Sequence, residues 1–432
     1  MKRSRLISVA ALALGSALAL SACSTTAAGG DKTEAAGAKL SFMVFETPAL
    51  TAKFWDDTIK SAAEKVGGVE VQKVLSTGDR TAYAKQLLAS NQLPDLLASI
   101  NTGQLADLLV PYDEAWLKEN FLIPDATAVD GKVYLPPVNS QAIPFVFYNK
   151  ALFAKAGITA PPKNWAEFMD AVAKLKAAGI TPIELAGKEA AWAASYPLVG
   201  TITADIIGKD PKWVQKLKKG EAKLTDANVK AALQKNVDLV KAGAYDPQAL
   251  SVDFATANTN FVTTQKSAMY PMGTWMTGAG YIPADVADQF GVFPWPTDDG
   301  SVVVPITVGG TTSVNAKSAN VDKAVAFAKQ WSTDPKTQGV LVETDGAFPM
   351  LKNVKFSEYN AKVSPLFTAA FELATSDKVT RVNAFGQVVN DDALPGGVGD
   401  ALGAVAQGMF AGADIDAFAK QLDDAWQKGM KG

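Results

Sequence analysis

The sequence predicts an α/β protein of two lobes, each a sheet flanked by helices. Three observations carry that expectation. Strand-like and helix-like segments alternate in two separate blocks, one opening near residue 39 and the other near residue 145. No long Pro- or Ser-rich linker follows residue 38, so the lobes are not beads on a string, and a chain that crosses between them several times fits. From Cys23 onward about 410 residues remain, enough for two sizeable cores.

In the first block, residues 39–45 (KLSFMVF) read as a strand. Residues 49–66 follow as an amphipathic helix with Leu50, Phe54, Ala62 and Val66 on one face. Residues 69–75 make a second strand, 81–90 a helix, 94–100 a third strand and 104–109 a helix. This βαβαβ rhythm implies a parallel sheet. In the second block, 145–148 is a strand, 150–156 a helix stopped by Gly157, 165–177 a helix stopped by Gly179, and 181–185 a strand. Helices are expected at 191–205, 227–242 and 254–264, with short strands at 268–270 and 291–293 and a hairpin-like stretch over 301–314. Val321, Ala324, Val325, Ala328 and Trp331 have helical spacing, and 357–432 reads as mostly helical with Gly-rich interruptions.

The N-terminus reads as an export signal. Lys2, Arg3 and Arg5 precede an apolar run over 6–20, shorter than the ~20 residues of a membrane span. Leu20-Ser21-Ala22-Cys23 resembles the lipobox of bacterial lipoproteins, which implies a signal peptide over 1–22 and lipidation of Cys23. Residues 23–38 are small and polar, as in a flexible tether. A membrane-anchored protein on the extracytoplasmic face is expected.

Composition excludes several chemistries. The chain has no histidine, and Cys23 is its single cysteine, so disulfides, Cys/His zinc sites, Ser-His-Asp triads and Cys-His dyads are ruled out. The net charge is −3, and losing 1–22 removes three positive charges and no acid, leaving −6. That balance argues against nucleic acid as a partner. Arg80 and Arg381 are the arginines beyond the leader, against 37 lysines. An arginine kept where lysine is the habit fits either a planar hydrogen-bonding fork or a structural ion pair.

Gly397–Gly403 (GVGDALG) misses the dinucleotide fingerprint by one residue, and no Rossmann unit precedes it. Asp298-Asp299-Gly300 lacks calcium-loop spacing, and no phosphate-binding loop or GxSxG elbow occurs. No cofactor or metal is expected. Carboxylate chemistry remains open, because a glycoside hydrolase needs two carboxylates and nothing more exotic.

Residues 131–157 (GKVYLPPVNSQAIPFVFYNKALFAKAG) resemble a segment of the family 1 extracellular solute-binding proteins of bacterial ABC importers, with its Y-N-K-x-x-F-x-K-A-G ending. Further segments resemble that family in order: Asn91–Asp95, Pro161–Leu175, Gly179–Ile183, Lys266–Trp275 (KSAMYPMGTW), Phe290–Pro296, Ala324–Trp331 and Gly346–Pro349. Asn164 stands where that family usually has Thr. The resemblance implies a periplasmic-binding-protein-like fold with three hinge crossings, near 141–146, 305–311 and 344–350. It implies an N-terminal lobe of 39–143 plus 309–347 and a C-terminal lobe of 144–308 plus 348–432. It further implies a carbohydrate ligand held between lobes that close on it, ABC permease subunits as partners, no catalysis and a monomer. An exported glycoside hydrolase and a binder of a non-sugar solute are the alternatives.

Sugars have apolar C–H faces and a rim of hydroxyls, which suits aromatic rings beside polar side chains. Trp275 matches the family position that stacks on sugar, and Glu189 and Trp192 match a ligand-contacting loop. Asp253, Gly309 and Gly310 lie where the family lines its cleft. Phe45 and Glu46 end the first strand, where ligands of such sheets sit. Asp79 and Arg80 could clamp a hydroxyl or cap a helix. Asn101 follows the third strand, Gln141 lies at the first crossing and Phe348 at the third. Arg381, Asn383 and Gln387 are candidates from polar character, whereas Trp165, Trp331 and Trp426 read as packing.

Overall fold

The computed structural model describes residues 37–189, 192–412 and 414–431. Cys23, the signal peptide and the tether up to residue 36 lie outside them. The chain opens with β1 (Ala38–Val44), α1 (Ala52–Val66), β2 (Val69–Leu75), α2 (Arg80–Ala89) and β3 (Leu96–Leu97). There follow α3 (Glu114–Asn120), β4 (Ala128–Val129), β5 (Lys132–Val133), β6 (Asn139–Ala142) and β7 (Phe145–Asn149). Next come α4 (Lys150–Lys155), α5 (Trp165–Ala177), β8 (Thr181–Ile183), α6 (Tyr196–Ile202), α7 (Trp213–Lys219), α8 (Ala227–Ala242), α9 (Phe254–Asn258) and β9 (Ser267–Met272). The last third holds β10 (Phe290–Pro294), β11 (Val303–Gly309), β12 (Ser313–Val314), α10 (Val321–Thr333), α11 (Pro335–Asp345), β13 (Phe348–Pro349), α12 (Pro365–Thr375), β14 (Thr380–Asn383), α13 (Val398–Gly408) and α14 (Ile415–Gly429).

Three four-stranded sheets organise these elements. The first has the order β12-β3-β1-β2 and the second β10-β7-β9-β8. In the third, β13-β6-β11-β14, strands β6 and β11 lie in sequence between strands of the other two sheets. In the first sheet β1 is central and parallel to both neighbours, so Leu40, Phe42, Met43 and Val44 are buried as a nearly continuous apolar run. Helix α1 starts because the Thr51 side chain accepts the Phe54 N–H, and it buries Phe54, Trp55, Ile59 and Ala62 on the face toward the sheet. Helix α5 is capped by Asn164, which accepts the Glu167 N–H at 2.9 Å, while Glu167 reaches back to the Lys163 N–H at 2.8 Å. Trp331 and Trp426 are fully buried, in keeping with a packing role.

The result is a two-lobed α/β architecture whose largest apolar cluster runs from Leu40 and Phe42 beside the first sheet to Phe147, Tyr270 and Phe290 in the second.

Several expectations need correction. The 301–314 stretch is not a hairpin: β11 pairs with β6 and β14, and β12 pairs with β3 in the first sheet. Gly310, between them, packs against the Pro136 carbonyl, where any Cβ would clash. Residues 380–383 form a strand parallel to β11 inside a region expected to be helical. The third strand shrinks to Leu96–Leu97, and 104–109 makes isolated 3₁₀ turns rather than a helix. The helix expected from 191 begins at Tyr196 and ends in a π turn, and the one from 254 also ends in a π turn.

Candidate functional site between the lobes

Phe45 leaves the end of β1 half-buried, with Glu46 exposed beside it. The Trp55 indole N–H donates to the Phe45 carbonyl and fixes the chain at this exit. The Arg80 guanidinium lies over the Phe45 ring, 4.2 Å from its centroid, and its Nε donates to the Ser99 carbonyl at 3.0 Å. Burial lowers the Arg80 pKa, with Asp79 and the nearby Tyr196 opposing that shift. Asp79 itself is exposed and caps α2 by accepting the Ala82 N–H at 2.7 Å. The expected Asp–Arg clamp is therefore divided: Asp79 serves the helix, and Arg80 lies over Phe45 with Tyr196 nearby.

The facing wall is aromatic. Trp275 stands in the turn after β9, its ring folded over Gly273, where a Cβ would run into the indole. Its centroid lies 6.1 Å from that of Tyr196, which lies 5.8 Å from Trp192. Trp192 is 5.1 Å from Phe254, and Phe254 is 6.0 Å from Tyr281. Trp192, Phe254 and Trp275 keep part of their surface exposed. Burial raises the Tyr196 and Tyr281 pKa values, so both hydroxyls stay protonated and able to donate. Glu189 is half-buried at the start of the Trp192 turn, and its carbonyl accepts the Trp192 and Ala194 N–H groups. Asp253 caps α9 by accepting the Thr256 N–H at 2.8 Å, a bond that holds its carboxyl below the usual range.

The structure thus gathers Phe45, Arg80, Glu189, Trp192, Asp253 and Trp275 around one aromatic run. The other expected residues lie apart from that run. Gln141 donates through Nε2 to the Asp345 carbonyl at 3.1 Å and to Asp345 Oδ2 at 3.3 Å. Asn101 is half-buried beside Val129, and its backbone N–H donates to Thr81 Oγ1. Gly309 ends β11 opposite Asn139. The Gly310 carbonyl accepts the Ser99 hydroxyl at 2.8 Å, and the residue is buried against the Pro136 carbonyl.

Phe348 is 3% exposed and packs edge-on against Phe367 and Phe371, which makes it core. Arg381 donates to the carbonyls of Ala374 (2.7 Å) and Ser376 (2.8 Å) at the end of α12, a helix-capping role in place of the ligand contact expected. The Gln387 carbonyl accepts the Thr307 hydroxyl.

Asn383 donates to Asp392 at 2.7 Å and lines a separate open cavity of about 680 Å³ beside Tyr112, Lys132 and Gln215. None of the gathered aromatic residues lines that cavity. The aromatic run is the stronger candidate because it combines partly exposed rings with a cation at a strand end. Tyr196, Phe254, Tyr281 and Asp345 were missed in the sequence. Tyr196 follows Trp192 by four residues, and Phe254 adjoins Asp253, so local aromatic pairing was the available signal. Among the described residues no group of His, Cys, Asp and Glu suits a metal, and no helix is long and apolar enough to cross a membrane.

Residues 46–339 match the family described as bacterial extracellular solute-binding protein. An uncharacterized ABC transporter extracellular-binding protein of Pyrococcus horikoshii is 33% identical over 188 residues, 42% of this chain and 41% of that protein. The multiple sugar-binding protein of Streptococcus mutans is 26% identical over 250 residues, 56% of this chain and 57% of that protein. The chain thus spans about half the length of these curated relatives. A solved chitin oligosaccharide binding protein superposes on 92% of this chain and 100% of its own, with a TM-score of 0.79 at 25% identity. The family match covers well over half the sequence, and the chain belongs to the bacterial extracellular solute-binding proteins, whose place is outside the cytoplasm.

Proposed function

We propose that this chain is the solute-binding component of an ABC importer, capturing an oligosaccharide between its lobes and delivering it to membrane permease subunits without turning it over. The observation that carries the reading is the unbroken aromatic run Trp275–Tyr196–Trp192–Phe254–Tyr281 facing Arg80 and Phe45. The ring faces of Trp275, Trp192 and Phe254 cover the C–H faces of successive sugar units, while Arg80 and Glu189 meet the hydroxyl rim. A run of several rings suits a chain of sugars better than a single one. The named ligands of the Streptococcus mutans and chitin-oligosaccharide relatives point the same way.

In this reading the lobes are 39–143 with 309–347 and 144–308 with 348–432, and they hinge through the third sheet as ligand binds. A lipid on Cys23 keeps the binder near its permease, where tethering raises its effective concentration. The protein acts as a monomer. A thermal-shift screen of chito-, xylo-, malto- and manno-oligosaccharides tests the proposal. A true ligand at 100 times its Kd adds about 2.7 kcal/mol to stability. Stabilisation by at least one oligosaccharide, with no product released, is the expected result. Release of shorter sugars, or no stabilisation by any carbohydrate, overturns it.

A further inference from the structure

Trp275 sits on a turn that the third crossing holds from behind. The Ala279 and Gly280 N–H groups donate to the carbonyls of Glu343 and Thr344 at the end of α11, at 2.9 and 3.2 Å. Gly346 packs against the Thr274 carbonyl, Thr277 Oγ1 and the Gly278 nitrogen so closely that a Cβ there would clash. Asp345 lies between these contacts. Its carboxyl receives Nε2 of Gln141 from β6, and the Tyr281 hydroxyl lies beside both Asp345 and Thr47. Thr47 belongs to the loop after β1, so Gln141 of β6 and Tyr281 meet at the carboxyl and Tyr281 links it onward to that loop.

We propose that Asp345 is the positioning residue of the Trp275 platform, joining that turn to β6 through Gln141 and to the loop after β1 through Tyr281 and Thr47. The proposal deepens the functional reading and rests on Trp275 as a ligand-stacking ring.

The electrostatics give the set a second property. Burial pushes the Asp345 carboxyl up to about 7, although the hydrogen bonds from Gln141 and Tyr281 pull the other way. Among the described residues no lysine or arginine pairs with it. Tyr281 is the titratable side chain that faces it from the Trp275 turn, and β6 and the loop after β1 contribute Gln141 and Thr47. From α11, Glu343 is turned to the Lys362 N–H at 2.9 Å.

The sign follows from linkage. The raised value means that the packed arrangement holds the proton more tightly than a water-exposed carboxyl does. Its advantage is complete below the ordinary carboxylate range and is lost as pH rises through about 7. Affinity for a ligand stacked on Trp275 then falls about tenfold or more between pH 5.5 and pH 8.

The test begins with the ligand-free protein, so it does not depend on identifying the sugar. Tryptophan emission and thermal midpoint are followed from pH 5 to pH 9 for the parent, Asp345→Asn, Tyr281→Phe and Gln141→Leu. The parent's emission shows a transition centred near pH 7, its thermal midpoint falls with rising pH and levels off above that value, and Asp345→Asn abolishes both. Each of the other two variants removes a bond that favours the charged carboxylate, so the midpoint moves to higher pH. A parent with no transition, or a transition unchanged in all three variants, overturns the proposal. Those outcomes leave the oligosaccharide reading intact, whereas failure of every sugar to bind at pH 5.5 sinks that reading and leaves the emission result to judge Asp345.

Discussion

The two walls of the site are built by different means. The first-sheet wall presents one ring and one cation, each tied to backbone at a strand end: Arg80 to the Ser99 carbonyl, and the Phe45 carbonyl to Trp55. The second-sheet wall holds five rings on turns and helix starts, each within about 6 Å of the next, of which Trp192, Phe254 and Trp275 keep exposed surface. In the proposed reading one wall supplies directed hydrogen bonds, and the other supplies apolar area. The contrast teaches that affinity and orientation are separable here, and that substitutions on the two walls should fail differently.

The largest effect is expected on the aromatic wall. Trp275→Ala removes the ring that anchors the run and should cost about 2–4 kcal/mol of binding, thirtyfold or more in Kd, with little change in fold. On the first wall, Arg80→Lys keeps the charge but loses the planar fork, and calorimetry should show about a tenfold weaker Kd. Equal losses for a hydroxyl-rich sugar and for a deoxy analogue would break the division of labour between walls. Gly273→Ala displaces the Trp275 ring without deleting it, so a loss of about 1–2 kcal/mol in affinity and a blue- or red-shifted emission are expected. At the small end, Arg381→Ala should lower stability by about 1 kcal/mol in denaturant titration and leave Kd unchanged. A weakened Kd in that variant would return Arg381 to the site.

Local periodicity made much of the fold legible. Helices over 165–177 and 227–242 were readable because their apolar spacing and stop signals lie within the segment, and their observed bounds agree with the expectation. The third sheet was not readable. Its strands β6, β11, β13 and β14 come from four distant stretches, and β14 (TRVN) carries too few apolar residues to announce itself. The same distinction runs through the site. Trp275 and Trp192 stood out through motif resemblance, and Arg80 through its rarity. Tyr281 and Asp345 acquire meaning from partners more than 60 residues away, which no local pattern encodes. Arg381 and Phe348 misled for the converse reason: a polar fork and an aromatic ring suit a helix end and a core as well as they suit a ligand.

Isothermal titration of the intact extracytoplasmic chain with the oligosaccharide panel, run beside Trp275→Ala, tests the central claim most directly. Saturable one-to-one binding of at least one oligosaccharide, weakened thirtyfold or more by the substitution and accompanied by no cleavage, is the result this account predicts. An oligosaccharide that binds equally well to both proteins would contradict it.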